Sequence, residues 1–238
     1  MSWSAQVFRY CERGADPSFW AEPLNAVSNA AFLIAAVAAA VSVARQPRLA
    51  PAPGVAALIA LVFVIGVGSF LFHTFATRWS ALADVIPIGL FMLAYLSYAL
   101  RIYLKLNWLW TGVGLALFVG ALQVAGSIEC RPGLVRVTAA ARGPCLNGTV
   151  GYVPALLAML GIGTVLRLKQ HPAAPYLILA ACVFLVSMLF RTVDLELCAL
   201  TQLAGQAVGT HFLWHLLNAL TLYLLLVGAM RHSSCIRA

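Results

Sequence analysis

The chain has 238 residues, of which 63% are hydrophobic and only 9% charged, and its mean hydropathy is +0.93. That excludes a water-soluble domain, which has no use for so much apolar surface around one core. The formal net charge of +8 is spread in ones and twos between apolar runs; without a clustered basic face or an aromatic nucleic-acid motif it argues against nucleic acid as a partner and for membrane orientation.

Residues 1–23 read as a polar N-terminal segment in which Arg9, Glu12, Arg13, Asp16 and Glu22 stand among aromatics. This is neither the basic start nor the apolar run of a cleavable signal peptide, so the segment is expected to be retained. A bilayer crossing takes roughly 20 apolar residues. Apolar runs bounded by charge, proline or glycine then predict helices near 24–44, 55–75, 81–100, 107–125, 150–168, 175–193 and 209–230. The fold class expected is all-α: a single transmembrane domain, residues 1–238, formed by a bundle of seven membrane-spanning helices. Connections are short except 126–149, read as the one substantial loop outside the membrane.

Seven crossings collect Arg45, Arg48, Arg101, Lys105, Arg167, Lys169, Arg231 and Arg237 on one face, with Arg9, Arg13, Arg78, Arg131, Arg136 and Arg142 opposite. Cys11, Cys130, Cys145 and Cys198 all fall on the less basic face, while Cys182 lies mid-helix and Cys235 in the tail. Disulfides persist in the periplasm, the ER lumen or outside the cell, so the N-terminus is placed outside and the C-terminus in the cytoplasm. Cys130 and Cys145 form the natural local pair; the alternative is four free, half-buried thiols.

The chemistry lies in the helices. His211 and His215 are spaced i, i+4, so both rings leave one face of the last helix. His73 ends the second run with Ser69 one turn before it, and Asp84 opens the third run a short connection later. With the N-terminus outside, His73, Asp84, His211 and His215 sit at similar depth. Ionisable groups at membrane depth are costly and mark a site when they converge. A single intramembrane histidine also serves as a packing residue, and an i, i+4 pair can ligate haem. Three imidazoles beside an acid favour zinc, which lowers the pKa of bound water to about 7 and polarises a carbonyl. Lys105 and Lys169 lie in connections, so no Schiff-base lysine for retinal stands in the last helix.

A second polar cluster runs from Tyr10 through Glu12 and Asp16 to Glu22. Its density of oxygen ligands suits calcium; equally, Glu12 and Asp16 can be solvated and Glu22 can favour a helix N-terminus. Arg191 and Asp194 are spaced to pair at i, i+3 on a helix.

Several stretches carry a resemblance: Cys11-Glu12, the run Ala21-Glu22-Pro23-Leu24-Asn25-Ala26-Val27-Ser28-Asn29, Gly68-Ser69-x3-His73 with Asp84 eleven residues on, Asp194-x3-Cys198, and His211-x3-His215. In these the chain resembles the alkaline ceramidase family, within a superfamily of seven-helix membrane hydrolases that includes the adiponectin receptors. The resemblance implies His73, His211 and His215 as zinc ligands, Asp84 and Ser69 as the active-site aspartate and serine, and a disulfide between Cys11 and Cys198. It also implies calcium bound by Glu12, Glu22 and the Tyr10 carbonyl. Here the chain departs from the family pattern: Arg9 stands at an acidic ligand position and Gly14 at an asparagine position, leaving Asp16 to compensate or the ion to be absent.

The function implied is zinc-dependent intramembrane hydrolysis of the amide of ceramide or a related N-acyl lipid, giving a fatty acid and a sphingoid base. The bilayer and its lipids are the partners expected, in a bacterial inner membrane or else the ER or Golgi. A receptor or lipid sensor of the same fold, with a structural zinc, is the competing class. A transporter would need polar residues through both halves of the bundle, and here they gather at one end.

Overall fold

A computed structural model describes residues 2–46, 53–130 and 143–232. Arg48, Arg131, Arg136, Arg142, Cys235 and Arg237 of the charge and cysteine readings, and residues 131–142, half of the 126–149 loop, lie outside the described residues.

Among the described residues, seven helices are long and apolar enough to cross a membrane. The first, α1 (Pro23–Arg45), is two pieces that meet at Asn29, with Pro23 starting the first where a missing N–H costs nothing. The second is α2 (Pro53–Phe75). In α3 (Arg78–Tyr98) the start is set by Thr77 and Ser80, whose reciprocal capping box includes a 2.9 Å bond from the Thr77 N–H to Ser80 Oγ. A π-helical turn at Ala99–Tyr103 extends that span. Helix α4 (Trp108–Ser127) is capped by Asn107, which accepts from the Trp110 N–H at 3.0 Å. A 3₁₀ stretch at Cys145–Tyr152 leads into α5 (Val153–Leu168); α6 (Ala174–Thr192) and α7 (His211–His232) follow.

The helices close a ring in chain order, with α1 packed between α2 and α7, and α4 joined most loosely. Lipid tails are as apolar as leucine, so helices in a bilayer associate by close packing more than by a hydrophobic drive. Small residues provide the approach: Ala35, Ala36 and Ala39 of α1 are buried, and Gly163 and Gly228 lie against Leu177 and Tyr176 of α6. Large apolar side chains such as Ile34, Leu117 and Leu157 face outward, as a lipid-bathed surface requires.

Among the described residues, two antiparallel strand pairs lie between the helices: β1 (Glu129–Cys130) with β2 (Gly143–Pro144), and β3 (Gln202–Leu203) with β4 (Gln206–Ala207). The second turns through Ala204 and Gly205, both at positive φ, which Gly205 adopts without steric cost. It sits in the connection 193–210, a second substantial connection besides the 126–149 loop expected from sequence. Disulfides join Cys11 to Cys198 and Cys130 to Cys145.

Candidate active site

The end of α2, the starts of α3 and α7 and the N-terminal segment meet at one end of the bundle. Backbone bonds stitch the segment down, from the Val7 N–H to the Ala76 carbonyl at 2.7 Å and from the Arg78 N–H to the Ala5 carbonyl at 3.1 Å.

There His73, His211 and His215, each at most 2% exposed, bring one ring nitrogen apiece within 4.8 Å of the others. Their neighbours fix the rings. Ser28 Oγ gives its one proton to the Asn25 carbonyl at 2.9 Å, so its contact with His215 Nδ1 at 2.8 Å has the imidazole as donor. His215 then keeps a bare Nε2. His73 Nδ1 donates to Glu22 Oε2, leaving its Nε2 buried without a hydrogen-bond partner; His211 Nδ1 is equally orphaned. Buried nitrogens with no partner are costly in a packed interior, and a carboxylate behind the far nitrogen is the usual support of a metal-binding histidine. The three fit a metal ion.

Asp84, 9% exposed, faces Ser69, and its Oδ1 is free of partners. What lets them meet is Gly68: a Cβ there would run into the Ala83 carbonyl, so only glycine allows α2 and α3 to approach at this level. Ser69, Asp84, His211 and His215 line one end of a cavity whose other walls include Phe91, Phe118, Phe184 and Leu225.

Asp194 lies past the end of α6, where the helical i, i+3 geometry no longer applies. Among the described residues the ion pairs are those of Glu22, and Asp194 does not pair with Arg191. Its carboxylate instead accepts the backbone N–H groups of Cys11 at 3.0 Å, Thr210 at 2.8 Å and His211 at 3.0 Å, capping α7. Burial raises its pKa in spite of these donors. Gly209, at φ +63°, passes so close to this carboxylate that a side chain would strike it.

Arg191, 9% exposed, points toward the cavity. Its Nη1 donates to the Tyr10 hydroxyl at 3.3 Å, its Nε has no hydrogen-bond partner, and its Cζ lies over the rings of Tyr152 and Trp214 at 5.4 and 5.1 Å. Burial pushes the Tyr10 phenol up to about 12, so it stays a neutral hydroxyl.

The oxygen donors expected for calcium do not fit that ion. The Tyr10 carbonyl accepts the Gly14 N–H at 3.2 Å, and the Glu12 carboxylate accepts the Leu24 and Asn25 N–H groups at 2.7 and 2.8 Å, at the start of α1. Asp16 Oδ1 takes the Ser18 N–H at 2.8 Å, with its side chain in solvent. Glu22 is held by His73, by Arg13 Nε at 2.5 Å and by Asn25 Nδ2 at 3.1 Å. The Glu22 carboxylate thus already has a cation beside it, the Arg13 guanidinium. Arg13, Ser28, Asn25 and Arg191 join the site through partners in other elements or in irregular chain, contacts that local sequence patterns do not reveal.

Fold and site together define a multi-pass membrane protein with a buried three-histidine group able to hold a metal ion. The chain matches the family described as Ceramidase over residues 8–237, nearly its whole length, and it belongs to that family. Membership supports a ceramide-hydrolysing enzyme. Comparison with curated proteins found none that matches.

Proposed function

We propose that the protein is a zinc-dependent intramembrane amidase that cleaves ceramide, or a close N-acyl relative, to a fatty acid and a sphingoid base. One observation carries the reading: three buried imidazoles, two with orphaned nitrogens, converge beside Asp84 and Ser69 at the polar end of an apolar cavity.

His73, His211 and His215 would hold zinc, the three-histidine set that leaves a position open for chemistry. Zinc bound there supplies Lewis acidity toward water and toward the amide carbonyl. Asp84, with a free Oδ1, accepts a proton from the attacking water. The water oxygen bonds to the carbonyl carbon, Ser69 donates toward the oxygen that gains charge, the C–N bond breaks, and Asp84 returns the proton to the leaving amine. Tyr10 and Arg191 stand where they can hold oxygens of the lipid head, while the acyl chain lies among the phenylalanines. The N-terminus is assigned to the outside, since both disulfides lie on the side of the bundle that carries the site.

The test is release of free fatty acid from ceramide by purified protein, in native form, stripped of zinc, and reloaded. Loss on stripping and return on reloading are expected. Zinc retained at full occupancy with no turnover would instead identify a lipid sensor.

A further inference from the structure

Arg13 is 3% exposed, and every N–H of its guanidinium is used. Nε donates to Glu22 Oε1 at 2.5 Å, Nη1 to the carbonyls of Asp16 and Ser18 at 3.1 and 2.8 Å, and Nη2 to those of His73 and Thr74 at 2.9 and 3.2 Å. The last two carbonyls end α2, where they lack intrahelical partners and sit at the negative pole of the helix dipole. Glu12 adds its field to that of Glu22. One carboxylate oxygen and four carbonyl oxygens thus surround one positive centre. An all-oxygen set of this kind is what a hard divalent cation takes, yet the centre is a side chain.

We propose that Arg13 is an internal cation performing the structural work of a bound divalent ion, so that calcium has no place in the native protein and the histidine site depends on residue 13 instead. The route is short. Arg13 fixes Glu22 Oε1 and the end of α2; Glu22 Oε2 receives His73 Nδ1–H and so presents Nε2 to the metal. Arg13 is a positioning residue, acting through Glu22. The inference rests on the reading of the three histidines as a zinc site, and removal of the guanidinium should expose a latent calcium site.

The experiment uses full-length protein in detergent: wild type, Arg13→Ala and Arg13→Lys. Zinc affinity is read by competition with a chromogenic chelator, and calcium binding by equilibrium dialysis against calcium alone. Wild type should bind no calcium and keep the same zinc affinity with or without it. Arg13→Ala should lose roughly 10- to 100-fold in zinc affinity, the usual cost of a lost outer support. It should bind calcium one to one and recover most of that loss in millimolar calcium; Arg13→Lys should fall between. Calcium bound by wild type overturns the proposal, and that arm stands even if Arg13→Ala does not fold. Unchanged zinc affinity in Arg13→Ala, or a loss that calcium does not restore, overturns it too. If wild type binds no zinc, the zinc reading fails separately, while the calcium arms still report on Arg13.

Discussion

The ring of Tyr10 lies almost parallel to the imidazole of His211, with centroids 3.8 Å apart and 19° between planes. A residue from the irregular N-terminal segment therefore forms one wall of a site otherwise built from helices. The next residue explains how it stays there: Cys11 donates its N–H to Asp194 at 3.0 Å and shares a disulfide with Cys198. The carboxylate that holds Cys11 also caps the helix bearing His211 and His215, so this wall and the two histidines are positioned by one group.

Asp194→Asn separates these duties. The amide oxygen can keep the Thr210 and His211 N–H groups, but the amide nitrogen then faces the Cys11 N–H, donor against donor. Losing a buried hydrogen bond to a charged acceptor costs about 1.5–3 kcal/mol. The expected result is a lower Tm and faster proteolysis within residues 2–22, with zinc content kept. Unchanged proteolysis of that segment would show that Asp194 does not hold it.

Metal binding and turnover should come apart between His73 and Asp84. His73→Ala, His211→Ala or His215→Ala removes a proposed ligand, so zinc content and fatty acid release fall together. Asp84→Asn keeps the proposed ligands and removes the proposed proton acceptor, which should lower kcat by about 10²- to 10⁴-fold at full zinc content. Metal analysis and fatty acid release on the same preparations distinguish them. A fully active variant without zinc ends the assignment.

Much of the architecture is legible because membrane helices announce themselves: no soluble core needs apolar runs such as those of α2 and α7, and i, i+4 spacing puts His211 and His215 on one face. Local rules fail where the partner is distant. Arg191 and Asp194 look like a helical pair, but α6 ends at Thr192 and Asp194 turns to backbone of the connection and the N-terminal segment. Arg13 reads as one more surface charge, since its partners are carbonyls at the end of α2 that only tertiary closure exposes to it. The four oxygen donors between Tyr10 and Glu22 are close in sequence, but each is already claimed by a backbone or side-chain donor.

The two disulfides should differ in their effect on activity. Cys11–Cys198 sits beside Tyr10 and closes a loop of 187 residues, whereas Cys130–Cys145 closes one of 15 around the first strand pair. Removing a native disulfide costs about 2–5 kcal/mol, more for longer loops in the chain-entropy account. Cys11→Ser with Cys198→Ser should lower both Tm and turnover, and Cys130→Ser with Cys145→Ser mainly Tm. Thermal unfolding and initial rates of the two double variants decide, and a larger activity loss in the second pair would contradict the placement of Tyr10 over the site.

Gly68 gives the sharpest test of how Ser69 reaches Asp84. An added methyl would meet the Ala83 carbonyl, which is backbone and cannot swing aside, so α2 and α3 must part at the level of the two side chains. Gly89, also in α3, has open space where its Cβ would be and serves as the control. Gly68→Ala should lower kcat by ~10-fold or more, equivalent to about 1.4 kcal/mol of transition-state stabilisation, and Gly89→Ala should behave as wild type. Zinc content should hold in both, since His73 lies more than a turn beyond Gly68. If Ser69→Ala already removes most of the rate, adding Gly68→Ala should cost little more, because both act on one contact; full additivity of the two losses would mean that Gly68 serves packing alone.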